Sequence, residues 1–544
     1  SNLDWGFNKH PPLSAFFSEV FFQIFGPQDW AYYFLSQIFV VVSFFIIFKL
    51  SQEILNDDNL SLLSVFLIEG IYFYNFTTPE FNVNVCQLPF WCITVYYTWK
   101  IYKSKNINLY DCILLGTVSA LGMLSKYLIV CLLVAIIPHF YNIESLFYFI
   151  LTLSFVIVFY GLIVISRNFK RNNVLNTVSR RISNKELPVL DILVAARDEE
   201  NVIARLVERL FSLDYPTNKL NIYIIDDGSS DKTPLILDRL ARQYDKLKVI
   251  SRSPNAGGGK SGALNYALKF THGEWLLVLD ADAELKQDSL IRLFSFVEEG
   301  DWSAVQLRKS VTNVSKNFLT SCQSMEMAMD AIFQYGRLSV AGVSELRGNG
   351  QLIKKETLLA CGSFNEDTVT DDLDLSLRLL LSKSRIGILW DPPVMEEAVE
   401  NLNALLAQRQ RWAEGGLQRF FDYGDQLFTN KIDYLQKFDL TYFFILQYAL
   451  PIISIFDLVF SIAFLDSPIY WPISFTAFTL SGIAFWYGSS CKSEVPVLQK
   501  SNFLMVFVSV FYLSHWFLVI PWVTIKMSIF PKKILWRKTL HTGV

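Results

Sequence analysis

Two aspartates one residue apart, Asp280-Ala281-Asp282, close a run of four apolar residues, Leu276 to Leu279. In extended backbone alternate side chains share a face, so both carboxylates would point the same way and could hold a hard divalent cation, magnesium or manganese. Such an ion bridges a diphosphate and acts as a Lewis acid toward a leaving nucleotide. A second acidic pair, Asp226-Asp227, ends another apolar run and is followed by Gly228, which allows a tight turn. That strand end suits the base and ribose of a sugar nucleotide, although Asp-Asp-Gly is also an ordinary turn sequence. Asn255-Ala256-Gly257-Gly258-Gly259-Lys260-Ser261-Gly262 offers backbone amides and one ammonium ahead of a helical pattern, Ala263 to Phe270, which suits phosphate. It is not a Walker A loop, because Pro254 stands where GxxxxGK[ST] needs its first glycine, and no GxGxxG spacing follows the first strand candidate.

Two further stretches complete the set. Thr370-Asp371-Asp372-Leu373-Asp374 precedes a helical run, Leu375 to Leu380. Its carboxylates either cap the positive end of that helix or include a base that takes the proton from an attacking hydroxyl. In Gln408-Arg409-Gln410-Arg411-Trp412 a helical period places Gln408, Arg411 and Trp412 on one face. An arginine fork beside an indole suits a diphosphate and a sugar ring, and an amphipathic helix on a membrane surface would read the same way.

The elements that must position these residues separate by composition. From Pro188 to about Tyr423 short apolar runs alternate with amphipathic patterns, which predicts an α/β domain with a mostly parallel sheet and ligands at the carboxyl ends of its strands. Strands are predicted over Val189 to Ala196, Asn221 to Asp226, Lys248 to Ser251, Trp275 to Asp280 and Ala304 to Arg308. Apolar runs approaching the roughly 20 residues that span a bilayer flank this domain, with Trp and Tyr at their ends. Before it lie Trp30 to Phe48, Leu60 to Tyr74, Pro89 to Tyr102, Cys112 to Pro138 and Leu146 to Ile165. After it lie Tyr442 to Leu465, Pro472 to Trp486 and Phe503 to Ile525.

Arg167, Lys170, Arg171, Arg180 and Arg181 place the α/β domain in the cytoplasm by the positive-inside rule. Three full crossings would then carry the basic tail, Lys526, Lys532, Lys533, Arg537 and Lys538, to the wrong side. One of the last three runs is therefore expected to be interfacial or re-entrant, broken at Pro451 or Pro521. Composition agrees: of 544 residues 52% are apolar and 18% charged, and the mean hydropathy is +0.31. A net charge of -3 gives no reason to expect nucleic acid. Seven scattered cysteines without CxxC spacing argue against a disulfide framework and a zinc site. No cleavable signal peptide is expected.

In this order and at these separations the five stretches resemble the membrane-bound family 2 glycosyltransferases, which include cellulose and hyaluronan synthases. The resemblance implies a multi-pass helical membrane protein with an inserted cytosolic GT-A domain, an α/β nucleotide-diphospho-sugar transferase fold. It implies that Glu199 and Asp227 contact uridine, with Asp226 beside them, that Lys260 meets the diphosphate, and that Asp280 and Asp282 hold the metal, Asp280 also touching the donor. Thr370-Asp371-Asp372 answers to the family's T[ED]D motif and makes Asp372 the general base. Gln408, Arg411 and Trp412 answer to QxxRW, closing over diphosphate and acceptor. Ala195-Ala196-Arg197-Asp198-Glu199 departs from the more usual Pro-x-Tyr/Arg-Asn-Glu.

Glu345-Leu346-Arg347-Gly348-Asn349-Gly350-Gln351 and Arg411-Trp412-Ala413-Glu414-Gly415-Gly416 look most like the cyanobacterial β-monoglucosyldiacylglycerol synthases. That subgroup implies UDP-glucose as donor, 1,2-diacylglycerol as acceptor, inversion to a β-glycosyl lipid, and a bacterial inner or thylakoid membrane. A processive polysaccharide synthase acting on a growing glycan, and a non-catalytic fusion product, are the alternatives. At the amino-terminal end Asp4-Trp5-Gly6-Phe7-Asn8-Lys9-His10-Pro11-Pro12-Leu13, Thr78-Pro79-Glu80-Phe81-Asn82 and Gly122-Met123-Leu124-Ser125-Lys126-Tyr127 resemble family 39 dolichyl-phosphate-mannose-protein mannosyltransferases. That zone reads as an inactive fragment, since the family's first helix and acidic motif are missing from it. The resulting division is residues 1–143 as truncated membrane helices, 144–187 as a helix with a basic linker, 188–430 as the catalytic domain and 431–544 as trailing helices and tail.

Overall fold

Runs such as Leu-Asp-Ile-Leu-Val-Ala-Ala and Trp-Leu-Leu-Val-Leu are too apolar for one-sided exposure, and a parallel sheet covered on both faces is where such runs bury. A computed structural model, describing residues 13–69, 81–103, 109–125, 143–174, 187–427, 429, 431–491, 493–497 and 503–529, shows that sheet. Its seven strands are β1 (Leu190–Ala196), β2 (Leu220–Asp226), β3 (Leu247–Ser251), β4 (Trp275–Leu279), β5 (Ala304–Val311), β6 (Gln351–Lys354) and β7 (Ile386–Glu396). Their order is β3-β2-β1-β4-β6-β5-β7. β1, β2, β3 and β4 run parallel, with Ala196 opposite Asp226, so the loops after β1 and β2 leave the sheet side by side. β6 is antiparallel to both β4 and β5, which makes the sheet mixed.

Every residue of β1 and β4 is buried. Leu190, Ile192 and Val194 pack on one face with Leu206, Leu210 and Leu293, whereas Leu193 and Ala195 pack on the other with Leu264, Leu375 and Leu379. Period-two alternation therefore divides each central strand between two apolar layers. The five predicted strands form, with Trp275–Leu279 ending one residue before the predicted Asp280. Two strands are additional. β6 has only four residues, and β7 contains Pro392 and Pro393, which a strand tolerates at the sheet edge that β7 occupies.

Four helices carry or brace the site: α1 (Gly259–Leu268), α2 (Phe318–Ala341), α3 (Asp371–Leu381) and α4 (Leu402–Leu427). The start of α2 is fixed by a capping box, in which the Asn317 side chain accepts the Thr320 amide at 3.0 Å and the Thr320 hydroxyl accepts the Asn317 amide at 3.1 Å.

Among the described residues three helices are long and apolar enough to cross a membrane: Asp29–Leu55, Tyr434–Phe464 and Phe503–Ile529. Helix Trp471–Ser490 is not one of them. Both prolines lie within helical stretches, Pro451 just after a π-helical turn, Ile445–Ala449. Pro451 lies in the first turn of the α-helical stretch Leu450–Phe464, and Pro521 lies inside Trp516–Ile529. Much of Cys112 to Pro138, the end of Leu60 to Tyr74, Arg180, Arg181 and the tail beyond Ile529 lie outside the described residues.

The chain divides into two units. One comprises Ser1–Thr152, Ala449–Pro472 and Pro521–Lys532. Within it Leu35, Phe39, Val85, Cys86, Phe90 and Val118 form an apolar cluster, and Lys100 meets Asp111 at 3.0 Å. The other comprises Leu153–Tyr448, Ile473–Ile520 and Lys533–Val544 and holds the sheet. There Asp439 accepts two bonds from Arg337 of α2, at 2.8 and 2.9 Å, and one from the Tyr160 hydroxyl at 2.8 Å. Glu345 lies amid Arg337, Arg347 and Arg419, and although burial opposes its charge, these arginines hold its carboxyl well below the usual range. The described cysteines, Cys86, Cys92, Cys322, Cys361 and Cys491, are free thiols.

Candidate active site

The loops after β1 and β2 are sewn together. The Asp198 amide donates to the Ser229 hydroxyl at 2.9 Å, the Ser230 amide donates to the Asp198 carboxylate at 2.6 Å, and the Glu199 amide donates to the Thr233 hydroxyl at 2.7 Å. Glu199, Asp226 and Asp227 are buried in this seam. Asp226 accepts the Ser229 amide at 3.1 Å. Gly228 has φ +69°, and a Cβ there would stand 2.5 Å from the Pro254 Cα, so the turn requires glycine.

Arg252, a residue the motifs did not single out, joins this turn to the glycine loop. It donates to Asp227 at 2.6 Å and to the Gly257 carbonyl at 2.7 Å. Burial pushes the Asp227 carboxyl up, and Arg252 and Arg197 only partly oppose the shift. Gly257, Gly258 and Gly259 all have positive φ, and the chain then enters α1 with Lys260 in its first turn.

Lys260 Nζ lies 2.6 Å from Asp280 Oδ1. Burial works against its charge, but Asp280, Asp371 and Asp372 outweigh burial and raise its pKa. The backbone after β4 is not extended: the Ala283 amide donates to the Asp280 carbonyl at 3.1 Å and closes a turn. Strict alternation therefore does not apply to Asp280 and Asp282. One oxygen of Asp282 accepts the Glu397 amide at 2.8 Å.

Asp371 and Asp372 lie in the first turn of α3. Asp372 Oδ1 accepts the Leu373 amide at 2.9 Å. A Cβ placed on Gly348, whose φ is +81°, would be 3.2 Å from Asp372 Oδ2 and 4.0 Å from Lys260 Nζ. That glycine therefore floors the space between the expected base and the expected diphosphate ligand. Asp371 has a buried oxygen with no hydrogen-bond partner. Burial, against the pull of Lys260 and with the push of Asp372 and Asp280, raises its pKa to about 6. Asp374 is structural: it meets Arg378 at 2.7 Å, Asn365 at 2.9 Å and the Tyr423 hydroxyl at 2.9 Å.

Arg411 of α4 completes the cluster. Burial lowers its pKa, while Asp280, Asp372 and Asp371 pull the other way. Helix α4 approaches closely because a Cβ on Gly415 would collide with Thr370, and one on Gly416 with Tyr448. Three carboxylates, Asp280, Asp371 and Asp372, thus lie around two cations, Lys260 and Arg411. Hard oxygen donors in such surroundings fit a divalent cation. Among the described residues no group of three or more His, Cys, Asp or Glu forms a ready metal cage.

Residues 191–351 match glycosyl transferase family 2, and residues 275–530 match glycosyl transferase family group 2. The chain is 42% identical over 361 residues to the beta-monoglucosyldiacylglycerol synthase of Trichormus variabilis, covering 66% of this chain and 77% of that one. The chain belongs to glycosyl transferase family 2. The Synechocystis enzyme of the same name is 42% identical over 359 residues, covering 65% of this chain and 75% of that one. Among solved structures, a Pyrobaculum calidifontis mannosyltransferase in complex with GDP-Man and Mn2+ aligns at 17% identity and a TM-score of 0.42, over 70% of this chain and 96% of that one. Residues 9–168 match dolichyl-phosphate-mannose-protein mannosyltransferase, the second resemblance noted in the sequence.

Within this family 2 domain, residues beyond the predicted site residues brace the site. The Asp280 amide donates to Asn349 at 3.2 Å, Asn349 donates to Glu396 at 3.1 Å, and Glu396 meets Lys309 at 2.8 Å. Lys309 in turn lies 5.8 Å from the centre of the Trp412 ring. A buried, charged β7 residue such as Glu396 was the available signal, but β7 was not recognisable as a strand. Gln408 accepts a bond from Arg409 at 2.9 Å.

Proposed function

We propose that the chain transfers glucose from UDP-glucose to 1,2-diacylglycerol with inversion, giving a β-glucosyl lipid at the cytoplasmic face of a bacterial membrane. The observation that carries this reading is the convergence of Lys260, Arg411, Asp280, Asp371 and Asp372 around one space. Identity to the diacylglycerol glucosyltransferases over 361 residues supports the choice of donor and acceptor.

Asp372 takes the proton of the acceptor hydroxyl as that oxygen bonds to the anomeric carbon. The bond from that carbon to the diphosphate breaks with its electron pair, and UDP leaves. Lys260 and Arg411 offset the charge that grows on the diphosphate. Glu199, Asp226 and Asp227 hold the nucleoside, and Gln408 and Trp412 close over diphosphate and acceptor. A magnesium or manganese ion, held by Asp280 with Asp282 beside it, would supply further neutralisation of the leaving group. Residues 188–430 form the catalytic part, with the basic residues Arg167, Lys170 and Arg171 keeping it cytoplasmic.

Membranes from a host expressing the full chain, given labelled UDP-glucose and diacylglycerol, provide the test. A chloroform-soluble monoglucosyl lipid, lost on chelation and restored by magnesium or manganese, is expected. A long polymer would instead identify a polysaccharide synthase, and UDP binding without turnover would identify a non-catalytic protein.

A further inference from the structure

Arg409 lies between the motif residues of α4, where a surface helix would turn an arginine to water, yet its side chain is 1% exposed. Its guanidinium stacks on Trp412, 4.0 Å from the ring centre, and pairs with Glu326 of α2. Glu326 also accepts the Tyr512 hydroxyl at 3.1 Å and the Trp516 indole N–H at 3.0 Å. Tyr512 and Trp516 belong to the apolar stretch Phe503–Ile529, and they bracket its one irregular turn, the 3-10 segment Leu513–His515. Helices depart from α geometry at hinges and at functional contacts more often than elsewhere.

A buried ion pair contributes little net stability, because the desolvation of both charges offsets their attraction. What it does supply is direction: a guanidinium held by a fixed carboxylate fixes the ring stacked on it. The same ring lies 5.8 Å from Lys309, at the end of the relay that begins at the Asp280 amide.

We propose that Glu326 and Arg409 are positioning residues that fix Trp412 and tie it to the last described apolar helix, so that the indole forms one wall of the seat for the lipid acceptor. This rests on the proposed lipid acceptor. The contacts join the wall to a membrane-type helix through Tyr512 and Trp516, so a hydroxyl-bearing lipid meets Trp412 in one orientation. Arg409 also donates to Gln408 at 2.9 Å, whereas Asp227, Arg252 and Lys260 share none of these contacts.

The decisive variant is the double substitution Glu326→Leu with Arg409→Met, which replaces the pair by apolar groups of similar length. Such replacements of buried pairs are often neutral for stability. UDP affinity within about twofold of wild type reports an intact fold, and kcat/KM for diacylglycerol is expected to fall roughly 10–100-fold, as small misplacements near a reacting group do. Glu326→Asp, which keeps the charge, should recover part of the loss. Normal kcat/KM in a double variant that binds UDP would overturn the positioning role. Should the double variant fail to bind UDP, Tyr512→Phe decides: it removes one donor to Glu326, and unchanged acceptor kinetics there would overturn the role equally. The wild-type chain is assayed alongside. No lipid product from wild type removes the acceptor assignment and this inference with it, whereas product from wild type isolates the positioning role.

Discussion

Replacing Arg252 with alanine tests whether the two nucleotide loops are held by one side chain. The guanidinium is 7% exposed and its partner Asp227 6% exposed, at 2.6 Å, with a second bond of 2.7 Å to the Gly257 carbonyl. Removing one member of such a buried pair costs about 3–5 kcal/mol, because the other charge stays buried and unpaired. Arg197, a second positive neighbour of Asp227, argues for the lower end. At about 2–4 °C per kcal/mol for a domain of this size, the catalytic domain should melt roughly 6–12 °C lower. UDP should bind about tenfold more weakly, because Gly257 loses its tether. A pH signature separates this cause from general damage. Asp227 already has its carboxyl pushed up by burial, and Arg252 is the first group opposing that shift. Without Arg252 it rises further. An acid whose pKa is higher folded than unfolded binds more protons when folded, so its penalty is full above the folded value. The penalty shrinks as pH falls toward the unfolded value of about 3.9. The melting deficit of Arg252→Ala in detergent should therefore be larger at neutral than at mildly acidic pH. A deficit that does not shrink on acidification, or no deficit at all, would refute the tether.

Asp372→Asn should lower transfer by roughly 100- to 10,000-fold, the range associated with a lost general base, while UDP affinity stays close to wild type. Unchanged turnover would remove Asp372 from the reaction. Gly258→Ala and Gly257→Ala share positive φ, a cost of about 1–2 kcal/mol for a side chain. Only at Gly258 would the new methyl also meet Glu366 and stand 2.9 Å from Gly262 Cα, so UDP affinity measured by calorimetry should fall further there. Asp439→Ala leaves the buried Arg337 with Glu345 as its remaining partner at 3.3 Å, which predicts destabilisation at the lower end of the roughly 3–5 kcal/mol of a broken buried pair. Joint replacement by Asp439→Leu and Arg337→Met should recover most of it, and a detergent melting series would show whether it does.

The predicted strands Val189 to Ala196 and Trp275 to Asp280 were legible because a continuous apolar run of strand length has few other ways to be buried. The sequence did not reveal β6 or β7, for separate reasons. Four residues, Gln351–Lys354, carry too little periodicity, and Pro392 and Pro393 speak against a strand unless its edge position is already known. The same limit governed the site. Lys260, Asp280 and Asp372 announce themselves at loop ends and a helix start, where local sequence fixes their surroundings. Asn349 and Glu396 act on Asp280 across 69 and 47 residues of chain in turn, and no local pattern encodes such a relay. Asp282 shows the converse, since local alternation fails once the backbone turns at Asp280.

Helix α4 carries both lessons within five residues. A helical period places Gln408, Arg411 and Trp412 on one face, and the electrostatics bring Arg411 to the three aspartates of the site. The same period sets Arg409 three residues before Trp412, close enough to stack, yet its burial depends on Glu326 and on Tyr512 more than a hundred residues later. Arg409, to which the motif assigns no role, is buried and stacked on the motif's tryptophan. On this proposal the charge pattern of α4 encodes two interfaces at once, one toward the sugar nucleotide and one toward the helix Phe503–Ile529. Exchange of Arg409 should then disturb the acceptor more than UDP, and exchange of Arg411 should disturb the diphosphate first.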